Sequence, residues 1–271
     1  MRLIVKGDDL GWTDGVNAGF EKAARDGILT AAGAMPNMPA FERGIQLLAP
    51  YRHVSLGQHT NFVSGFPVSD PSRIPHLLNA QGQFLSTRYI RSLDQSKGDP
   101  MPYYEEYFYE IEAQVLKFIK VVGRKPAYLE GHAVGTQSSE RAVDDVAEKY
   151  DIIHICHDGT NPYGLFCAKL GKYAMDIFKT ADQFEQYTCS PEQAILEDQF
   201  GILGHETAQI FFHPGFVDAD IFDASSFNGV RMRDVQALCS PAVKQWIDDH
   251  KIELINYCDL RKEAESVAIS R

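Results

Sequence analysis

Short apolar runs and amphipathic helical stretches take turns along most of this chain, and no other feature restricts its fold so tightly. Leu3, Ile4 and Val5 run into Gly7-Asp8-Asp9, the pattern of a buried strand closed by a turn. Over residues 14–25, Val16, Phe20, Ala23 and Ala24 share one helical face, with Glu21, Lys22 and Arg25 outside it. Asp26-Gly27 stops that helix. Residues 28–35 predict a second strand, 39–49 a second helix with Pro39 in its first turn, and 54–59 a third strand. Alternation of this kind specifies parallel βαβ units.

The alternation breaks over residues 60–102, which are rich in Pro, Ser, Gly and Asn; a loop-rich insertion is expected, with short elements around Phe84. In a barrel such an insertion sits near the active face. The pattern resumes with a helix at 103–121, a strand at 127–131, a helix at 138–150 opened by Ser138-x-x-Arg141, and a strand at 152–156. Residues 157–190 read as irregular or mixed. Ser190-Pro191 reads as an N-cap with proline at the first helical position, opening a helix to about residue 203. A strand at 209–212, helices from Arg231 and over 240–250, and a strand at 253–256 complete the pattern. There is no internal repeat and no linker. The expectation is one domain over residues 1–271, an imperfect (β/α) barrel of about seven parallel strands, at a length ordinary for that fold.

Composition narrows the partners. The formal net charge of -11 disfavours nucleic acid and anionic membranes and leaves a neutral sugar open. Five cysteines without a C-x-x-C pair fit reduced thiols in a cytosolic protein. Two early aspartates exclude a signal-peptide pattern, and no apolar run is long enough to span a bilayer, so a cytoplasmic location is expected.

The chemistry concentrates at four places: Asp8-Asp9, His59, His132 and His213 each fall at the carboxyl end of a predicted strand. In parallel barrels those ends converge on the face that carries active sites. Alone, an Asp-Asp-Leu-Gly turn serves equally to cap the next segment, and a lone strand-end histidine is more often structural. Together, two imidazoles and one carboxylate form a common catalytic divalent site with open positions for water and substrate. The second aspartate is then free to handle a proton, since two adjacent ionised carboxylates need a cation beside them. Pro214-Gly215 forces a turn that exposes His213, and an ordinary imidazole pKa of ~6.5 suits a proton donor at neutral pH. A competing group, His154, Cys156 and His157, converges poorly, because 154 and 156 share a strand face and 157 does not. Trp12, Phe62, Phe66 and Phe216 lie just past the same strand ends, placed either to stack on a sugar ring or to pack the rim.

With these motifs assembled, the sequence resembles the YdjC-like carbohydrate deacetylases, the family that includes chitooligosaccharide deacetylase. The likeness covers nearly the whole chain: Leu3 to Gly11 with Asn17, Gly27 and Thr30; Gly57-x-His59-x-Asn61; Gly123 to His132; His213-Pro214-Gly215; Arg231; and residues 252–260. The resemblance implies a barrel similar to that of polysaccharide deacetylases, with metal ligands Asp9, His59 and His132. It implies Asp8 and His213 as proton-handling base and acid, and Trp12, Asn61 and Arg231 as the substrate-binding set. It further implies a divalent ion (Mg or Zn first, then Mn or Co), a small acetylated saccharide as substrate, and a homodimer. The departures are specific. Ala133-Val134 stands where the family has a further histidine, Glu130 where it has aspartate, Leu10 for the usual Phe, and Lys6-Gly7 for Asn-Ala. They bear on sugar preference and on the surroundings of the metal, so a chitin fragment is one acetylated sugar among those the resemblance leaves open. Two other functions fit parts of the pattern. A two-histidine, one-carboxylate enzyme such as a non-haem iron oxygenase is opposed by Asp8 and the α/β pattern. A non-catalytic sugar-binding barrel is favoured only by Glu130 and Val134.

Overall fold

The computed structural model describes residues 1–155, 161, 163–169 and 182–262. Eight strands, all paired in parallel, form one curved sheet among these residues. They are β1 (Arg2–Leu10), β2 (Ala31–Ala34), β3 (Ser55–Thr60), β4 (Tyr128–Gly131), β5 (Ile153–His154), β6 (Phe166–Cys167), β7 (Thr207–Phe212) and β8 (Glu253–Leu254). Seven follow the order β5-β4-β3-β2-β1-β7-β6, and β8 pairs with the start of β1. Among the described residues the path is open between β5 and β6, and the architecture is a half-barrel.

The sheet's two faces follow from the period of two along each strand. In β1, Leu3, Val5 and Leu10 pack into the largest core, with Val16, Phe20 and Ala23 of α1 (Asp14–Asp26) and with Phe41, Ile45 and Leu48 of α2 (Phe41–Leu48). Ile4 faces the other way, into a cluster of Tyr128, Ile153, Ile155 and Tyr257 on the concave side. Lys6 and Asp8 continue Ile4's face towards the mouth. Buried Asn17 locks the first connection in place: its amide accepts from Gly11 N at 2.8 Å and donates to Ala40 O at 2.9 Å.

The expected elements are present, with bounds that shift for identifiable reasons. Gly7-Asp8-Asp9 is not a turn: β1 runs on to Leu10, because Lys6 and Gly7 have ladder partners in both β2 and β7. Pro39 lies outside α2, which starts at Phe41. The helix at 138–150 is α5 (Gln137–Tyr150), and its cap is Thr136 rather than Ser138. Ser139 N donates to Thr136 Oγ1 at 3.2 Å, and Thr136 N donates to Ser139 Oγ at 2.8 Å, a reciprocal box. Ser190 caps a helix as expected, but that helix ends at Leu196, and Asp198 turns left-handed with φ 48°.

The 60–102 excursion holds three single 3-10 turns and α3 (Thr87–Ser92). Phe62, Ile74, Leu77, Phe84, Ile90 and Met101 anchor it on α4 (Tyr104–Val122) and α5. Its backbone is also pinned electrostatically, since Val68 N and Ser69 N donate to the buried Glu110 carboxylate at 3.1 and 2.9 Å. The excursion thereby becomes a wall of the cleft at the strand ends. No helix of the described residues is long and apolar enough to cross a membrane.

Candidate metal centre and active site

The carboxyl ends of β1, β3, β4 and β7 open into a cleft of about 2620 Å³ lined by Asp8, Asp9, Trp12, His59, His132 and His213, among others. β1 supplies two consecutive carboxylates because its pairing with β2 shifts register between Asp8 and Leu10. Asp9 sits in that irregularity with φ 85°, a left-handed conformation that a non-glycine residue adopts at a cost of order 1–3 kcal/mol. A bulge re-aims a side chain that strict alternation would send to the opposite face. His59 lies within β3, His132 directly follows β4, and His132 N is held by Thr60 O at 2.9 Å.

Three atoms meet here. Asp9 Oδ1 lies 3.2 Å from His132 Nδ1 and 3.5 Å from His59 Nε2, and the two ring nitrogens are 3.0 Å apart. All three side chains are buried, and Asp9 Oδ1 makes no hydrogen bond. Lone pairs so close repel one another unless a proton or cation lies between them. The donor set, one carboxylate oxygen and two imidazole nitrogens, suits a divalent ion.

Outer partners fix each of these groups. His59 Nδ1 lies 3.0 Å from Glu130 Oε1, which orients the ring so that Nε2 faces the cluster. Arg231 donates from Nη2 to Asp9 Oδ2 at 2.8 Å and from Nε to Phe227 O at 2.7 Å. The Trp12 and His132 rings lie perpendicular to one another with centroids 5.6 Å apart. Burial alone would raise the Asp9 pKa; the Arg231 guanidinium and His132 outweigh it and hold the carboxyl well below the usual range. Asp8 moves the other way, raised by burial and by the Glu130 charge against the opposing pull of Lys6. Burial pulls His59 down to about 4, in spite of Asp8 and Asp9.

The remaining expected residues occupy distinct places. His213 lines the cleft, its backbone N–H bound to Asp234 Oδ2 at 2.8 Å and its ring edge-on to Phe227. Desolvation outweighs the nearby aspartates and lowers it to about 4, so the ordinary imidazole value expected from sequence does not hold. Asn61 is buried in its own loop, accepting from Val63 N and Ser64 N and donating to Ser64 O and Asn37 Oδ1. It is not among the residues lining the cleft. Phe62 is core, Phe66 is an exposed cleft wall, and Val134 is buried in the second core. Of the competing group, His154 meets Asp144 at 3.0 Å, while Cys156 and His157 lie outside the described residues.

Sequence reasoning missed Lys6 as a site residue. Its ammonium lies 3.1 Å from Asp8 Oδ1 and bonds to Glu130 Oε2, all three groups being buried. The available signal was the pair of departures, Lys6 and Glu130, each visible alone but 124 residues apart. Tyr89 and Phe222, exposed aromatics on the cleft, were also missed, because nothing in their local pattern marks them.

The frame is the half-barrel seen in family 4 carbohydrate esterases. The chain superposes on an acetyl xylan esterase of that family from Clostridium thermocellum, solved with a cobalt ion, with a TM-score of 0.51 at 11% identity, covering 96% of this chain and 90% of that one. A candidate cellobiose-phosphate cleavage protein from Enterococcus faecalis V583 superposes with a TM-score of 0.75 at 22% identity, over 96% and 98% of the two chains. Residues 2–249 match the model of the YdjC-like protein family, and the chain belongs to that family. Among its relatives are carbohydrate deacetylase 2 of Listeria innocua, 27% identical over 97% of this chain and 100% of the relative, and a carbohydrate deacetylase of Thermoanaerobacter pseudethanolicus, 29% identical over 96% and 99%.

Proposed function

We propose that the chain is a divalent-metal-dependent carbohydrate deacetylase that removes N-acetyl groups from acetylated sugars or oligosaccharides, acting as one domain. The convergence of Asp9 Oδ1, His59 Nε2 and His132 Nδ1 at the mouth of the half-barrel carries this reading. Those three residues would hold the ion. Zn or Mg is the leading choice and Mn and Co match the same donors; between the leading two, the pair of imidazoles favours Zn. When bound, the ion supplies Lewis acidity at the scissile carbonyl and makes water nucleophilic near neutral pH.

The chain's own residues handle the protons. Asp8, with its pKa raised by burial, accepts the proton lost by the attacking water. Lys6 holds one Asp8 oxygen, which leaves the other for that task. The acetamide C–N bond breaks, the water oxygen ends on acetate, and the departing nitrogen takes a proton from His213. At about 4 the free imidazole is neutral at pH 7. It becomes a donor as negative charge builds on the adjacent substrate, after relay of the proton from Asp8. Arg231 keeps Asp9 ionised and turned towards the histidines. Phe66, Tyr89 and Phe222 are exposed aromatic residues along the cleft, suited to stack on sugar rings. Asn61 acts by shaping the loop after β3.

The test is acetate release. The purified protein supplied with Zn, Mg, Mn or Co is offered N-acetylated and O-acetylated saccharides, phosphorylated and unphosphorylated. Equal yields of acetate and free amine from an N-acetylated sugar, abolished by a chelator, are expected. A metal-loaded protein that releases no acetate from any of them overturns the reading.

A further inference from the structure

The site holds more carboxylates than one ion needs. Asp8, Asp9 and Glu130 all lie in the buried cluster, and their ligand atoms define two overlapping triads. The first is Asp9, His59 and His132. The second is Asp8, His59 and Glu130, whose atoms again lie within 4.8 Å of one another. His59 belongs to both through opposite nitrogens: Nε2 faces Asp9, and Nδ1 faces Glu130. Taken alone, the geometry describes two neighbouring cation positions bridged by one imidazole.

Lys6 stands in the second of them. Its Nζ contacts Asp8 Oδ1 and Glu130 Oε2, oxygens of two of the three residues that would ligate an ion there. The rings of Phe211 and Tyr128 lie 5.3 and 5.9 Å from the ammonium and close it in from water. Burial works against this charge, but Asp8 and Glu130 more than compensate and hold the ammonium above the ordinary lysine range. Space has been left for the arrangement on β2. A Cβ on Gly33 would come within 3.1 Å of Glu130 Oε1 and 3.3 Å of Asp8 Oδ1. The longer arm of glutamate lets one carboxylate reach both His59 and Lys6.

We propose that Lys6 is a built-in cation that closes the second position, so that the centre takes one divalent ion rather than two. Lys6 is thus a positioning residue. It holds Asp8 and Glu130 apart from the ion at Asp9, His59 and His132, and it does so only in company with Glu130. The inference rests on the metal-centre reading above and concerns how many ions that centre accepts.

Stoichiometry tests it without any sugar. Stripped protein is titrated with Co²⁺ by calorimetry and absorption, and bound metal is counted after gel filtration. The wild-type chain should bind one ion per chain, Lys6→Met two, and Lys6→Met/Glu130→Gln one again. A second Co²⁺ coupled to the first through the His59 ring should also alter the visible spectrum of Lys6→Met. A wild-type chain that binds two ions, or a Lys6→Met chain that binds one with an unchanged spectrum, overturns the inference. A wild-type chain that binds none sinks the metal-centre reading and this one with it, so the two failures are told apart. Should Lys6→Met fold poorly when stripped, excess Co²⁺ must restore its melting temperature while two ions bind; failure to restore it refutes the proposal equally.

Discussion

Replacing Arg231 with methionine keeps an apolar stem and removes the guanidinium with its charge and donors. The guanidinium is 1% exposed and its partner, the Asp9 carboxylate, is 1% exposed, with 2.8 Å between them. Burial leaves the abandoned carboxylate poorly solvated. Breaking a buried pair from one side costs about 3–5 kcal/mol. A chain of 271 residues has an unfolding entropy of roughly 0.57 kcal/mol/K at about 2.1 cal/mol/K per residue. Arg231→Met should therefore lower the melting temperature of the metal-stripped protein by about 5–9 °C. Asp9 also loses the contact that aims its free oxygen, so divalent-ion affinity should fall about 10–100-fold, the usual effect of removing a ligand's outer partner. Scanning calorimetry with and without chelator, with competitive metal titration, reads both quantities. Adding Asp9→Asn to Arg231→Met should recover most of the lost stability, because the unpaired charge is gone. A shift below about 1 °C in the stripped protein, or an unchanged metal affinity, refutes the claim that Arg231 holds Asp9 in place.

Asp8→Asn should keep the bound ion and lower kcat by about 10²–10⁴-fold; retained turnover removes Asp8 from the base role. His132→Ala should lose metal on dialysis, and full occupancy measured by elemental analysis refutes its place as a ligand. In stripped protein, His59 takes up a proton only near pH 4, whereas the unfolded chain takes it up near ~6.5. The unfolded state binds more protons across that window, so stability falls as pH drops, by about 2 kcal/mol from this group between pH 7.5 and 5. Asp8, raised by burial, pushes the opposite way, so the His59 share is the difference between wild-type and His59→Gln urea curves; identical curves contradict it.

Strands and helices were legible wherever one face is apolar, as in α1 and the first half of β1. β1 extends past its apolar half because Lys6, Gly7 and Asp8, which look like a polar turn, stay in the ladder; the Lys6 and Asp8 side chains face a site and not solvent. The helix after Ser190 was overrun because Ile202 and Leu203 prolong an apolar pattern, and nothing local announces that Asp198 turns left-handed. The Asp9, His59 and His132 group was legible because parallel topology alone brings strand ends together. Asn61 was placed at the substrate from a motif that equally describes a self-bonded loop. The depressed proton affinity of His213 depends on tertiary enclosure, which no local window contains. The Lys6–Glu130 contact was out of reach for the same reason.

The irregularity at the end of β1 makes that strand a counted length. From Ile4 inward, every second side chain is assigned to the cleft side until Asp9 breaks the count. One residue gained or lost between Leu3 and Asp9 would invert every position on one side of the change, either turning Leu3 and Val5 towards the cavity or burying Lys6 and Asp8 among the helices. The excursion over 60–102, anchored by a few apolar side chains, carries no such arithmetic. Variation in chain length within this fold is therefore expected to accumulate in the cleft wall and to spare the nine residues that deliver the paired aspartates.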